Sequence, residues 1–307
     1  MREKRTEAVH KDAEGLDRQT PETVLRLLAA AQLEAAKSVH EAIDAIAEAA
    51  RIAAGCLAHG GRIVYAAAGS SGLMALADAL ELPGTFGISR DRIVVLLAGG
   101  MQALHHLAGG PEDDAAQAAR EVAAQKLSAN DCLISLSASG STPYALGALE
   151  EARRHGVATI AIANNAGSPL LQLADTAILL ATPPELIAGS TRMGAGTAQK
   201  IALNMVSTLM AIHLGHIHDG YMVNLQADNA KLRDRAGRIV SAVAGCSPEE
   251  AARALEQSDG AVKPAILIAA GAANADAARR LLEDAGQMLR PALSRLGASA
   301  GSRQNRA

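Results

Sequence analysis

The stretch DCLISLSASGSTPYALGALEEARRHGVATIAIANN (131–165) decides the fold. Its ends, DCLISLSASG (131–140) and VATIAIANN (157–165), are short apolar runs that finish in glycine or asparagine. Such continuous runs are expected of strands buried on both faces of a parallel sheet. Between them PYALGALEEARRHG has helical apolar spacing, so the whole reads as one strand, helix, strand unit. Working outward, RIVYAAAG (62–69), RIVVLLAGG (92–100) and TAILLAT (176–182) repeat the strand text, with SGLMALADALE and EDDAAQAAREVAAQKL as helix-like stretches. Five strands alternating with helices predict a doubly wound α/β domain with a five-stranded parallel sheet. Ligands of open sheets collect beyond the carboxyl ends of the strands, so the strand-terminal residues are where chemistry is expected.

Both flanks are helical text. From Pro21 to His59, Val24, Leu25, Leu28, Ala35, Val39, Ile43 and Ile46 recur at helical spacing and predict two helices. Helices are expected near 197–215 and 225–243, and residues 246–296 contain no strand text. Ser247 reads there as a helix N-cap with Pro248 in the first turn. The division expected is an N-terminal helical segment over 1–60, the α/β domain over 61–243, a small helical C-terminal domain over 244–299 and a frayed tail over 300–307.

Composition narrows the partners. The formal net charge of −3 offers no global basic field for nucleic acid or an anionic membrane, so any anion site must be local. Aromatic residues are 1% of the chain (Phe86, Tyr65, Tyr144 and Tyr221), which leaves almost no stacking platform and makes hydrogen bonding the means of recognition. Cys56, Cys132 and Cys246 are odd in number and lack any C-x-x-C spacing, so neither a disulfide framework nor a zinc site is indicated and a reducing compartment fits. MREKRTEAVHKDAEGLD has basic residues without a following apolar run, and no stretch offers about 18 uninterrupted apolar residues; a cytoplasmic protein is expected.

Two loops concentrate hydroxyls. The first strand ends in Ala68-Gly69-Ser70-Ser71-Gly72 and the third in Ser137-Ala138-Ser139-Gly140-Ser141-Thr142-Pro143. Each sets hydroxyls and unhindered N–H groups at a helix start, the arrangement that wraps a phosphate with neutral donors. Serine and glycine would also make plain tight turns with N-caps. Neither loop is a G-x-x-x-x-G-K-[ST] or G-x-G-x-x-G motif, which disfavours nucleotides and leaves a sugar phosphate. A third stretch, GSTRMGAGTAQK (189–200), crowds glycine, hydroxyl and cationic residues before the helical pattern Ile201–Leu214, again the text of an anion site at a helix N-terminus.

Glu81, in ALADALELPGTFG, has apolar neighbours on both sides; Glu112, in GGPEDDAA, follows a Gly-Gly-Pro turn. Both read as loop acids. A carboxyl in apolar surroundings is raised in pKa and suits a general acid, whereas one at a helix N-terminus is held ionised and suits a base. Glu112 is equally at home as a plain helix-start acid beside Asp113 and Asp114. His213, His216 and His218 do not share one helical face and no nearby Cys supports a metal cluster. His105 and His106 are adjacent, so one is expected at the surface and one packed.

ELPGTFG (81–87), LAGG (97–100), GPEDDA (110–115), SASGSTPYALGALEEAR (137–153), GSTRMGAGTAQKIALNM (189–205) and MVNLQADNAKLRDRA (222–236), in that order, resemble the N-acetylmuramic acid 6-phosphate etherases. These are relatives of the glucokinase regulatory protein within the sugar isomerase (SIS) superfamily, and the likeness runs from about Thr6 to Leu296. It implies a SIS-type three-layer fold, usually homodimeric, with the α/β domain as the sugar-phosphate domain, no metal or organic cofactor, and a place in amino-sugar metabolism and peptidoglycan recycling. The implied reaction cleaves the D-lactyl ether of N-acetylmuramic acid 6-phosphate to N-acetylglucosamine 6-phosphate and D-lactate by elimination and rehydration. Glu81 matches the family's general acid in D-A-x-E-x-P, and Glu112 its base in G-x-E-D. Ser70, Ser71, Ser137, Ser139, Ser141 and Thr142 match phosphate- and sugar-binding positions, and Ser190, Thr191 and Arg192 would line the same cleft. The chain departs from the family's text at Leu73, Ser141 and Gly194, where cations are usual, and reads ELPGT for E-C-P-P-T. Charge-assisted hydrogen bonds are the stronger ones, so these losses weaken a polyanion most. Three readings therefore stand: the etherase, an isomerase or epimerase on another sugar phosphate, and a non-catalytic phosphosugar-binding regulator.

Overall fold

The computed structural model describes residues 5–225 and 230–304, and the five expected strands are among them. They are β1 (Ile63–Ala67), β2 (Ile93–Leu97), β3 (Cys132–Ser137), β4 (Ala158–Ala163) and β5 (Thr176–Leu179), all parallel in the order β2-β1-β3-β4-β5. Every residue of the central β1 and β3 is buried, which is why their text is continuously apolar rather than alternating. The helices that accompany the sheet are α1 (Pro21–Lys37), α2 (Ile43–Ala58), α3 (Gly69–Phe86), α4 (Ala115–Ala124), α5 (Pro143–Arg154), α6 (Pro169–Leu173) and α7 (Gly194–His213).

Alternate residues of the strands feed opposite faces. Val64, Ala66, Leu133 and Ala161 point into one core with Ala118 and Val122 of α4, Tyr144, Ala148 and Leu149 of α5 and Leu170 of α6. Each fully buried Leu or Val there is worth about 1.5–3 kcal/mol relative to an exposed one. Gly147 lets α5 close on α4, because a Cβ at 147 would lie 2.4 Å from the Ala115 carbonyl oxygen. On the opposite face α2 packs against β1, β3 and β5, and the Tyr65 hydroxyl donates to Asp78 of α3 at 2.9 Å. The expected three layers are present.

By contacts the chain divides into two compact units, one of residues up to Ala79 with Asp91–Leu209, the other of Leu80–Arg90 with residues from Met210 onward. The second unit contains an antiparallel ladder of β6 (Ile217–His218) and β7 (Tyr221–Met222), then α8 (Ala230–Ala244), α9 (Pro248–Gln257), α10 (Val262–Ala269), α11 (Ala275–Asp284) and α12 (Leu289–Gln304). Val240, Ala251, Ile266, Leu267, Leu282 and Leu289 are buried in its core. Ser247 caps α9 in a capping box: its N–H donates to Glu250 Oε2 at 2.8 Å, and the Glu250 N–H donates to Ser247 Oγ at 3.2 Å. The helix expected over 225–243 begins at Ala230, with 226–229 outside the described residues. α12 runs on to Gln304 and so takes in 300–304 of the expected tail; residues 305–307 lie outside the described residues. Among the described residues no helix is long and apolar enough to cross a membrane.

Candidate active site

The strand order reverses its direction of growth between β1 and β3, since the chain leaves β1 for β2 on one side and β3 for β4 on the other. A crevice opens beyond the carboxyl ends of the strands at such a switch point. Ala67 stands beside Leu136 in register, so the next residues of the two strands are the two hydroxyl loops.

At the end of β3, Ser137 is 3% exposed and its Oγ is 2.7 Å from Thr142 Oγ1 and 3.2 Å from Ser139 Oγ. It also accepts the Gly140 N–H at 3.0 Å, and Ser139 Oγ accepts from the Ser141 N–H at 3.2 Å and the Ser141 hydroxyl at 3.1 Å. Gly140 is required here: its φ is +65°, and a Cβ would lie 2.2 Å from Ser168 Oγ. Thr142 precedes α5 but turns its hydroxyl to Ser137, so no side chain caps the first turn of that helix. The result is a chain of linked hydroxyls at a helix N-terminus, suited to an anion.

At the end of β1, Gly69 opens α3, with Ser70 half-buried and Ser71 buried in its first turn. Glu112 reaches this turn from the 3-10 segment Gly110–Asp113: a Cβ at residue 69, where φ is +53°, would lie 2.6 Å from Glu112 Oε1. Half-burial, and then the neighbouring Asp113 carboxylate, push the Glu112 carboxyl above its ordinary value. That is the direction opposite to the one expected for an acid held ionised at a helix start, because lost hydration outweighs the local dipoles.

Glu81 is not a loop residue and is not in apolar surroundings. α3 continues through Pro83 to Phe86, and Glu81 is exposed between exposed Leu80 and buried Leu82. Apolar neighbours in sequence fan out around a helix at about 100° per residue, so they do not enclose the acid between them. Instead the buried acid of α3 is Asp78, which sequence reasoning passed over; its carboxylate accepts from Tyr65 at 2.9 Å and from Asn204 and Ser207 of α7, each at 3.0 Å. Burial pushes its pKa up against these hydrogen bonds. Only its place as one of two charges in an otherwise apolar helix pattern pointed to it. His105 and His106 are both exposed, where one was expected packed.

The stretch 189–200 departs most from its reading. The N-terminus of α7 already holds an anion, the protein's own: Glu185, 4% exposed, accepts the Gly194 N–H on Oε2 and the Ala195 N–H on Oε1, each at 2.8 Å. Thr197 donates to Gln32 Oε1 at 2.6 Å and Gln199 to Asn164 Oδ1 at 3.0 Å, so these residues dock α7 onto its neighbours. Ser190 and Thr191 are half-buried and Arg192 is exposed. A short relay ties this turn to the β3 loop. The Gly189 N–H donates to the Thr6 carbonyl at 3.1 Å, and Asn165 Nδ2 donates to Thr6 Oγ1 at 2.9 Å and to the Ala138 and Ser139 carbonyls at 3.3 and 3.4 Å.

Residues 29–164 match the SIS domain family. The N-acetylmuramic acid 6-phosphate etherase of Deinococcus radiodurans is 42% identical over 300 residues, covering 97% of this chain and 98% of that protein. The etherase of Pectobacterium atrosepticum is 44% identical over 257 residues, or 84% of this chain and 85% of that one. Among solved structures, a phosphoheptose isomerase from Francisella tularensis is 25% identical, covering 64% of this chain and 98% of that one with a TM-score of 0.48.

Proposed function

The chain belongs to the N-acetylmuramic acid 6-phosphate etherase family, and from that premise we propose that it cleaves the D-lactyl ether of N-acetylmuramic acid 6-phosphate. The products are N-acetylglucosamine 6-phosphate and D-lactate, and the net change is addition of one water. With the sugar ring open, the C1 aldehyde acidifies the C2 proton; a base removes it, lactate leaves C3 as a general acid protonates its oxygen, and water adds back at C3.

The observation that carries this reading is the Glu112 carboxylate lying against Gly69 at the β1–α3 turn, one strand over from the linked hydroxyls at the end of β3. A raised carboxyl pKa brings a base nearer the working pH and strengthens it as a proton acceptor. We assign the base to Glu112 and the acid to the exposed Glu81, which family position supports. The hydroxyls of Ser70, Ser71, Ser137, Ser139, Ser141 and Thr142, with Ser190 and Thr191, bind the phosphate and sugar, and Arg192 supplies positive charge. Leu73, Ser141 and Gly194 remove three cations usual in the family, so neutral donors carry more of the binding here. The enzyme acts in the cytoplasm as a homodimer and needs no metal or organic cofactor.

The loss of those cations also favours one competing reading, a proton-transfer isomerase or epimerase on a singly phosphorylated sugar without a further carboxylate, with Glu112 as base. Incubation with N-acetylmuramic acid 6-phosphate and assay for D-lactate separates the two. Stoichiometric lactate is expected. Absence of lactate, together with thermal stabilisation by another sugar phosphate, overturns the etherase assignment.

A further inference from the structure

Two of the three cysteines, far apart in sequence, meet in the fold. Cys56 lies in the last turn of α2 and Cys132 is the first residue of β3. The backbone returns from one to the other through paired hydrogen bonds: the Gly61 N–H donates to the Cys56 carbonyl at 2.8 Å, and the Cys132 N–H to the Arg62 carbonyl at 2.9 Å. Gly61 permits that return, since a Cβ there would lie 1.8 Å from the Asn130 carbonyl oxygen and 2.9 Å from that of Cys56. The α2 helix packs against β3, so the two thiols stand side by side, each shifting the other's titration. Cys56 is half-buried, so small oxidants reach it, whereas Cys132 is 0% exposed. Cys246 belongs to the other compact unit.

The environments divide the two roles. The neighbouring Cys132 thiol holds the Cys56 thiol below its ordinary pKa, against burial and the nearby Asp131 carboxylate, itself bridged to Arg62 at 3.2 Å. Cys132 is pushed well up, first by the Cys56 thiol and then by burial. The thiolate is the nucleophile, so Cys56 attacks and Cys132 waits beside it. The pair sits at the amino end of β3. Five residue-to-residue steps of strand, at about 3.3 Å each, separate Cys132 from Ser137 at the other end.

We propose that Cys56 and Cys132 form an oxidative modification site, in which a hydroperoxide such as hydrogen peroxide converts the two thiols to an intramolecular disulfide joining α2 to β3. The Cys56 sulfur attacks one peroxide oxygen, the O–O bond breaks, and the departing hydroxide takes the thiol proton to leave as water, giving a sulfenic acid. The Cys132 sulfur then attacks the Cys56 sulfur, the S–O bond breaks, and a second water leaves with the Cys132 proton. The thiols lose two electrons and the peroxide gains them. Because the pair stands away from the hydroxyl loops, the disulfide leaves basal activity in place.

The test is peroxide titration of the full-length protein, followed by alkylation in denaturant and peptide mass spectrometry without reductant. The expected result is a Cys56–Cys132 linked peptide lacking two hydrogens, Cys246 still alkylated, and all three thiols recovered after dithiothreitol. In Cys132→Ser, Cys56 should stop at a dimedone-trappable sulfenic acid and go on to sulfinic acid. In Cys56→Ser, whose altered side chain is half-buried and easily accommodated, Cys132 should resist oxidation. A Cys132 that remains alkylatable once Cys56 is oxidised, a disulfide that uses Cys246 or joins two chains, or oxidation of Cys132 at the wild-type rate in Cys56→Ser would each overturn the proposal.

Discussion

Glu112 owes its character to a missing atom on another residue. Gly69 lacks a Cβ, and the Glu112 carboxylate occupies that space, where partial burial and the Asp113 charge raise its pKa. A base must be ionised to act, so the acid limb of kcat/KM is expected above the ordinary glutamate value of 4.5, with activity lost as pH falls through it. Asp113→Asn removes the second of the two causes and should move that limb to lower pH; an unmoved limb would separate Glu112 from the titration. Glu112→Gln keeps the shape and loses the base, and a fall in kcat/KM of about 10²–10⁴ is expected, with C2 proton exchange abolished and ligand-induced thermal stabilisation kept. Exchange at the wild-type rate would remove Glu112 from the base role. The sequence singled out Glu112 by its Gly-Gly-Pro turn and its family motif. The upward direction of its pKa was not legible, because the burial behind it includes contact with Gly69 of a distant part of the chain.

At the scale of elements, the strands were legible because parallel strands buried on both faces leave an uninterrupted apolar text. The α7 N-terminus was misread for the complementary reason. Its text of glycine, hydroxyl and cation fits an anion site, and an anion is there, but Glu185 supplies it from nine residues upstream of Gly194. A carboxylate gripping the Gly194 and Ala195 N–H groups takes the place of an external anion at that helix end, so those two donors are structural. Glu185→Ala leaves two buried N–H groups unpaired and should cost about 2–3 kcal/mol in urea unfolding. Glu185→Gln, which keeps an acceptor oxygen, should cost less. Equal and negligible losses in both variants would show that α7 is not held by this cap.

At the scale of the whole molecule, the helices of the second unit were legible from their period and from Ser247-Pro248, while its β6–β7 hairpin was passed over. Strands of two residues have no period to read, although Asp219-Gly220 between them, with φ of +46° and +79°, is a hairpin-turn signal. This unit also carries a built-in acid sensitivity. His216 is held down to about 4 from its ordinary 6.5, first by burial and then by the Lys263 ammonium, while its Nδ1 is buried without a hydrogen bond. A base whose folded pKa is depressed contributes stability that is complete above the unfolded value and is lost as pH falls through the folded one. The window here is therefore pH 6.5 down to about 4, and the loss approaches about 3 kcal/mol at its lower end. His216→Gln keeps a polar side chain of similar size that does not titrate, so the fall of the urea midpoint across that window should be markedly smaller than in the wild type. Parallel falls in the two proteins would assign the acid loss to carboxylates elsewhere and take His216 out of the account.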